Sequence, residues 1–285
     1  MGKRDILAGY FAGVETTREH SGYFCSVGET LTIVILGTFC GLRNIKQIHQ
    51  WASDERVSEF LGKEFGIKSV PCYYWMTCLM KLIKPDSLDH CFMKWIESIL
   101  PEGLKGYTVA VDGKTIRSTG KMSSYDSAMH IVSAHLAEIG ITIGQKEVGN
   151  KSNEIPAVRE LLIMLEIKGC MVVADAMNCH KETAKVIVDA EEDYLLSVKD
   201  NQKELKEEIE TYVLDDELRV GMDKATTVEK NGGRIEKRTA YVSMEIDWLY
   251  GKDKWSNLSV IGAIHREVSS SNGNSSEWHT FLVVR

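Results

Sequence analysis

Two short apolar, β-branched runs, each closing on an aspartate, constrain this chain more than any other feature: Thr108-Val109-Ala110-Val111-Asp112-Gly113-Lys114 and Met171-Val172-Val173-Ala174-Asp175-Ala176-Met177. Apolar runs of this length bounded by Gly or polar residues predict strands buried on both faces of an α/β sheet. Ligands in such sheets sit outside the strand ends, where both carboxylates fall. Two carboxylates brought close repel each other, so the pair shares a proton or holds a divalent cation, with magnesium the expected ion. Phosphoryl chemistry is the usual use of such a site.

A chain of 285 residues predicts two domains and has ample length for a core. With 44% apolar and 26% charged residues it should fold rather than stay disordered. The longest apolar stretch, Leu31 to Leu42 between Glu29 and Arg43, falls well short of the roughly 20 residues a membrane span needs and predicts a core helix. The opening Met1-Gly2-Lys3-Arg4-Asp5 lacks an apolar signal region, so a cytoplasmic protein without membrane partners is expected. Seven cysteines without a Cys-x-x-Cys pair argue against a disulfide framework or structural zinc and predict small buried hydrophobes. The net charge of −7 opposes uniform binding to nucleic acid but leaves room for local basic strips beside carboxylate-held cations.

Residues 1–100 carry apolar positions at helical spacing, predicting about five helices, the last at Ser87 to Leu100 with Leu88, Cys91, Phe92, Trp95, Ile96 and Ile99 on one stripe. Trp51, Trp75 and Trp95 fall in these helices and read as core. Residues 101–285 form the second domain. Strands are predicted at Tyr107 to Ile116, His130 to Glu138 and Ile141 to Val148, then a helix capped by Ser152-Asn153, a strand at Cys170 to Ala176, a helix through Ala184 and Ile187, and a strand at Tyr194 to Lys199. The order β-β-β-α-β-α-β gives a mixed sheet with helices on its faces, the ribonuclease H-like order. It sets the strands of Asp112 and Asp175 side by side. A charged helix from Gln202 to Leu214 follows, and then a β-rich insertion: a hairpin turning at Asn231-Gly232-Gly233 and two strands, Leu258 to Val268 and Trp278 to Arg285, around a polar Ser269 to Ser276 loop.

Four ordered motifs, Val111-Asp112-Gly113-Lys114-Thr115-Ile116-Arg117, Lys151-Ser152-Asn153-Glu154-Ile155, Asp175-Ala176-Met177-Asn178-Cys179 and Val198-Lys199-Asp200-Asn201-Gln202, resemble the H-repeat-associated DDE transposases of bacterial insertion sequences. The stretches Leu31 to Gly41 and Val70 to Trp95 resemble that family's preceding helical domain. The resemblance implies a transposase acting in DNA transposition, with metal-dependent strand cleavage and strand transfer at a two-metal magnesium site. Asp112 and Asp175 are then the first two catalytic, metal-holding acids, the partners are transposon-end and target DNA, and the active form is a homodimer.

The family's third acid lies in a late-helix motif of the form His-Trp-x-Ile-Glu-Asn, which is not found between Lys199 and Arg285. The expectation is a C-terminally truncated copy lacking the final catalytic helix, its third acid unknown. Glu277-Trp278-His279 has the wrong order, and Glu236 alternates with Arg234 and Arg238 on one strand and reads as a solvated charge. Taken singly, Asp112-Gly113 also reads as a turn and Asp175 as a strand-end cap. Candidate DNA contacts are Lys114 and Arg117 beside the first acid, Lys199 on the same sheet edge, and Arg234 and Arg238, which with Lys230 and Lys237 could track a phosphate backbone. His130 and His135 stand an odd number of positions apart on one strand and face opposite ways. Two other readings stay open: an inactive remnant that at most binds DNA, and a divalent-metal nuclease without strand transfer.

Overall fold

The computed structural model describes residues 6–18, 25–100, 104–116, 128–148, 154–165, 167–231, 233–270 and 273–284. The chain divides into two units, Met1–Leu100 and Pro101–Arg285.

Six helices make up the described part of the first unit: α1 (Ile6–Phe11), α2 (Val27–Phe39), α3 (Ile45–Ala52), α4 (Glu55–Phe65), α5 (Tyr73–Leu82) and α6 (Pro85–Ile99). A capping box starts α2, with the Glu29 N–H donating to Ser26 Oγ and the Ser26 N–H donating to Glu29 Oε2. This helix is apolar around most of its circumference because it serves two cores. Leu31 packs with Leu7, Phe11, Leu79 and Cys91, whereas Ile33 packs with Ile48, Leu61 and Met76. The buried hydroxyls of Thr30 and Thr32 donate to the carbonyls of Ser26 and Gly28, four residues back, so no donor is stranded. Where α2 meets α3, Gly37 lies against Ile48, with no room for a side chain between them. Trp51, Trp75 and Trp95 pack partly buried against these cores.

The second unit is built on a nine-stranded sheet of order β3-β2-β1-β4-β5-β9-β8-β7-β6. Its strands are β1 (Thr108–Ile116), β2 (Met129–Leu136), β3 (Ile141–Val148), β4 (Met171–Ala174), β5 (Asp193–Val198), β6 (Asp223–Asn231), β7 (Arg234–Ser243), β8 (Val260–Ser270) and β9 (Gly273–Val283). The first three form an antiparallel meander, and β1, β4 and β5 run parallel. The β3-to-β4 crossover contains α7 (Glu154–Met164), and the β4-to-β5 crossover contains α8 (Lys181–Asp189). Helices α9 (Lys203–Leu214) and α10 (Asp216–Val220) precede the hairpins. Alternation sends Val109, Val111, Val132, Ala134, Val172 and Ala174 to the face that α7 covers, where they are buried.

Three expectations are corrected. The stretch 269–276 is not simply a loop, since β8 runs to Ser270 and β9 begins at Gly273. Its described residues lack apolar alternation because Ser269 and residues 273–276 are exposed. The strand expected at Cys170 to Ala176 stops at Ala174, where a 3-10 turn over Ala176–Asn178 begins. Of the seven free cysteines, Cys40 and Cys72 are exposed, because they occupy helix ends: Cys40 follows α2, and Cys72 Sγ accepts from the Trp75 N–H at the start of α5.

Candidate functional site

Asp112 lies on β1 and Asp175 follows β4 immediately. The two strands are parallel neighbours with Val111 paired to Ala174, so the next position on each is an aspartate. Asp175 keeps extended backbone, with φ −69° and ψ 173°, and so continues the register. Neighbouring strands are about 4.8 Å apart, and side chains level with each other on parallel strands point the same way. Both carboxylates are exposed, and both leave the sheet on the face opposite the buried valines. They form one row with Ser133, paired to Asp112 on β2, and with Ser197 on β5.

Asp175 is held by its own motif. The Asp175 carboxylate accepts from the Asn178 backbone N–H at 3.3 Å and from Asn178 Nδ2 at 3.0 Å, tying it to the 3-10 turn. That turn is gripped from below: Asn201 Nδ2 donates to the Ala176 carbonyl at 2.6 Å, and Gln202 Nε2 donates to the Cys179 carbonyl at 3.0 Å. The motifs around Asp175 and Lys199 are thus stitched together. Cys179 itself is buried, and burial pushes its thiol up to about 12.

Beside Asp112 the sheet carries a buried polar chain that the sequence reading missed. Glu154, the first residue of α7, and His130, on β2, are both buried, with His130 Nε2 2.5 Å from Glu154 Oε2. His130 Nδ1 lies 2.9 Å from Thr115 Oγ1, its cross-strand partner on β1. The Glu154 carboxyl covers Gly113, so closely that a Cβ there would come within 2.7 Å of Oε2 and nearer still to Oε1. Two sequence signals could have found this: a glycine directly after the first acid, and an acid inside the 151–155 motif.

The remaining candidates distribute as follows. Lys114 is exposed two positions beyond Asp112 on the same face, and Lys199 is exposed just past β5 at the same edge. Arg117, and the Ser152-Asn153 cap expected for α7, lie outside the described residues. Arg238 is not a free cation: its guanidinium pairs with Glu229 and Glu236. Glu236 also accepts from Arg266 Nε at 2.7 Å, and Arg266 bridges on to Glu277, which meets His279. These cations hold the Glu236 and Glu277 carboxyls below the usual carboxylate range, Arg266 contributing most to each. The ladder lies on the same sheet face as Asp112 and Asp175, following the pairing through β5, β9, β8 and β7.

None of the three ladder acids reaches the aspartates, Glu229 lying farthest off on β6. Ser197 pairs with Phe281, so Glu277 stands four positions outward, about 13 Å along the strand and two strands from Asp175. Glu236 is farther along and four strands away. Among the described residues, no three His, Cys, Asp or Glu side chains gather into a metal-holding cluster. No helix among them is long and apolar enough to cross a membrane.

A family profile described as "Transposase DDE domain" matches residues 103–275, and one described as "DDE_Tnp_1-associated" matches residues 8–96. The chain is 38% identical over 245 residues to "Putative transposase YncI" of Escherichia coli O157:H7, covering 83% of this chain and 60% of that one. It is 32% identical over 219 residues to the "H repeat-associated putative transposase YhhI" of Escherichia coli K12, covering 74% and 57%. It is also 28% identical over 259 residues to an "Uncharacterized protein in dhlA 3'region" of Xanthobacter autotrophicus, covering 90% and 86%. The chain therefore spans little more than half the length of the two transposase-named relatives.

Proposed function

The chain belongs to the transposase DDE domain family, and from that premise we propose that it is a DNA transposase polypeptide whose site is the Asp112–Asp175 row. The observation that carries this reading is the register: adjacent parallel strands deliver two exposed carboxylates to one row and one face. Strand order 3-2-1-4-5, with crossovers on one face and acids on the other, fits a ribonuclease H-like fold.

The two aspartates fit a divalent cation, being hard oxygen donors at neighbouring positions with open approach, and Mg2+ is the expected ion. Held there, the ion would supply charge stabilisation to the attacking and leaving oxygens of a phosphodiester. Asp175 is oriented for this by its two bonds from Asn178. Lys114 and Lys199 lie outward of the row, where the backbone of a DNA strand would pass, and position it without reading sequence. Joining two transposon ends to target DNA calls for two protomers, and a cytoplasmic location accompanies this reading.

Incubation with labelled transposon-end DNA and Mg2+ should give cleaved and joined strands, and Asp112→Ala and Asp175→Ala should each abolish both. Cleavage that survives Asp112→Ala would refute the site. Cleavage without joined product would instead identify a nuclease. A second reading, a chain that binds DNA without cutting it, is favoured by the distance of Glu236 and Glu277 from the row. It predicts a mobility shift with no product.

A further inference from the structure

We propose that Glu154, anchored by His130, is a positioning residue that fixes Asp112 against Asp175, and that Gly113 is glycine to admit it. This rests on the reading of the two aspartates as a divalent-cation site.

A carboxylate buried in a protein needs donors and a reason to be there. Glu154 has one donor in His130, whose other ring nitrogen is engaged by Thr115. The three side chains therefore link the start of α7 to β2 and to β1 two positions beyond Gly113. The Glu154 carboxyl closes on Gly113 from the α7 face, while Asp112, one residue earlier, points from the opposite face. The strand is thus held on one side at the position adjoining the residue that must be exact on the other.

The first turn of α7 supplies an independent reason for an acid here. The positive end of the helix favours a carboxylate at this position. Nothing in packing demands it, since the rest of the buried surface of α7 is Ala157, Val158, Leu161 and Leu162. Outer residues that orient metal ligands cost tenfold to a hundredfold in metal affinity when removed, through geometry rather than direct contact.

The test is Mn2+ binding to the full chain by isothermal titration calorimetry, with far-UV circular dichroism verifying the folded fraction of each variant. Glu154→Ala should weaken Mn2+ binding about tenfold or more, whereas the isosteric Glu154→Gln, which keeps the cover over Gly113 and the bond to His130, should stay within about threefold of wild type. Gly113→Ala should weaken binding similarly, and adding Glu154→Asp, one methylene shorter, should restore it. A merely structural role would lower thermal stability and leave the affinity of the folded protein unchanged. Binding that Asp112→Asn abolishes but Glu154→Ala leaves intact would overturn this proposal alone. If wild type itself binds no Mn2+, the metal reading falls, and this proposal with it.

Discussion

Glu192, just before β5 at the sheet edge opposite the aspartates, offers the sharpest quantitative test of the second unit. It is only 4% exposed, and neither carboxylate oxygen has a hydrogen-bond partner among the described residues. Burial alone pushes its carboxyl from an ordinary 4.5 up to about 8. Because the folded chain holds this proton more tightly than the unfolded chain does, the associated stability is complete below pH 4.5 and is lost as pH rises toward 8. A difference of that size corresponds to roughly 3 to 5 kcal/mol between the two limits. Glu192→Gln has the shape of the protonated acid and cannot ionise. In urea unfolding followed by circular dichroism, the variant should match wild type within about 1 kcal/mol at pH 4.5 and exceed it by roughly 3 to 5 kcal/mol at pH 9. A difference that stays constant across that range would refute the buried, proton-holding carboxyl.

Three further outcomes follow from the geometry. Asn201→Ala should cost about 1 to 2 kcal/mol and speed hydrogen exchange at the amides of Asn178 and Cys179, because it frees the turn that carries Asp175. Gly37→Ala places a methyl 2.9 Å from Ile48 Cγ1 and Cγ2. It should therefore destabilise the helical unit by about 1 to 2 kcal/mol in thermal melts, although Ala ordinarily gains in a helix. Brief iodoacetamide treatment of the native chain, read by peptide mass spectrometry, should label Cys40 and Cys72 and spare buried Cys170 and Cys179, whose thiols burial raises to about 11 and about 12.

Most of the fold core was legible because its strands are buried on one face and half-buried on the other, and therefore spell continuous apolar runs, as at Val109–Val111 and Val172–Ala174. Once β1 and β4 are parallel neighbours, the meeting of Asp112 with Asp175 is a matter of counting. The arm from β6 to β9 was only partly legible. Glu229, Arg238, Glu236, Arg266 and Glu277 form an ion-pair ladder on an exposed face, and charge pairing leaves no hydrophobic period to read. That ladder also occupies Arg238, which sequence alone offered as a free DNA contact. The His130–Glu154 pair escaped for a different reason. A buried polar pair joins residues from separate elements, and neither one's local pattern announces the other.

The placement of β9 has a consequence for how the second unit comes to be made. The inner strands β1 to β5 are assembled by residue 198, yet β5 is bordered on its far side by β9, whose paired residues are Thr280 to Val283. During synthesis, the open side of β5 must wait for more than eighty further residues before Leu195 to Val198 find their hydrogen-bonding partners. A nascent chain in that interval presents an unpaired strand edge beside the newly placed aspartates, which is where self-association begins. Slow closure of this edge follows from the sequence separation of its two strands. Expression at lower temperature, which weakens hydrophobic association of the open edge, should raise the soluble yield.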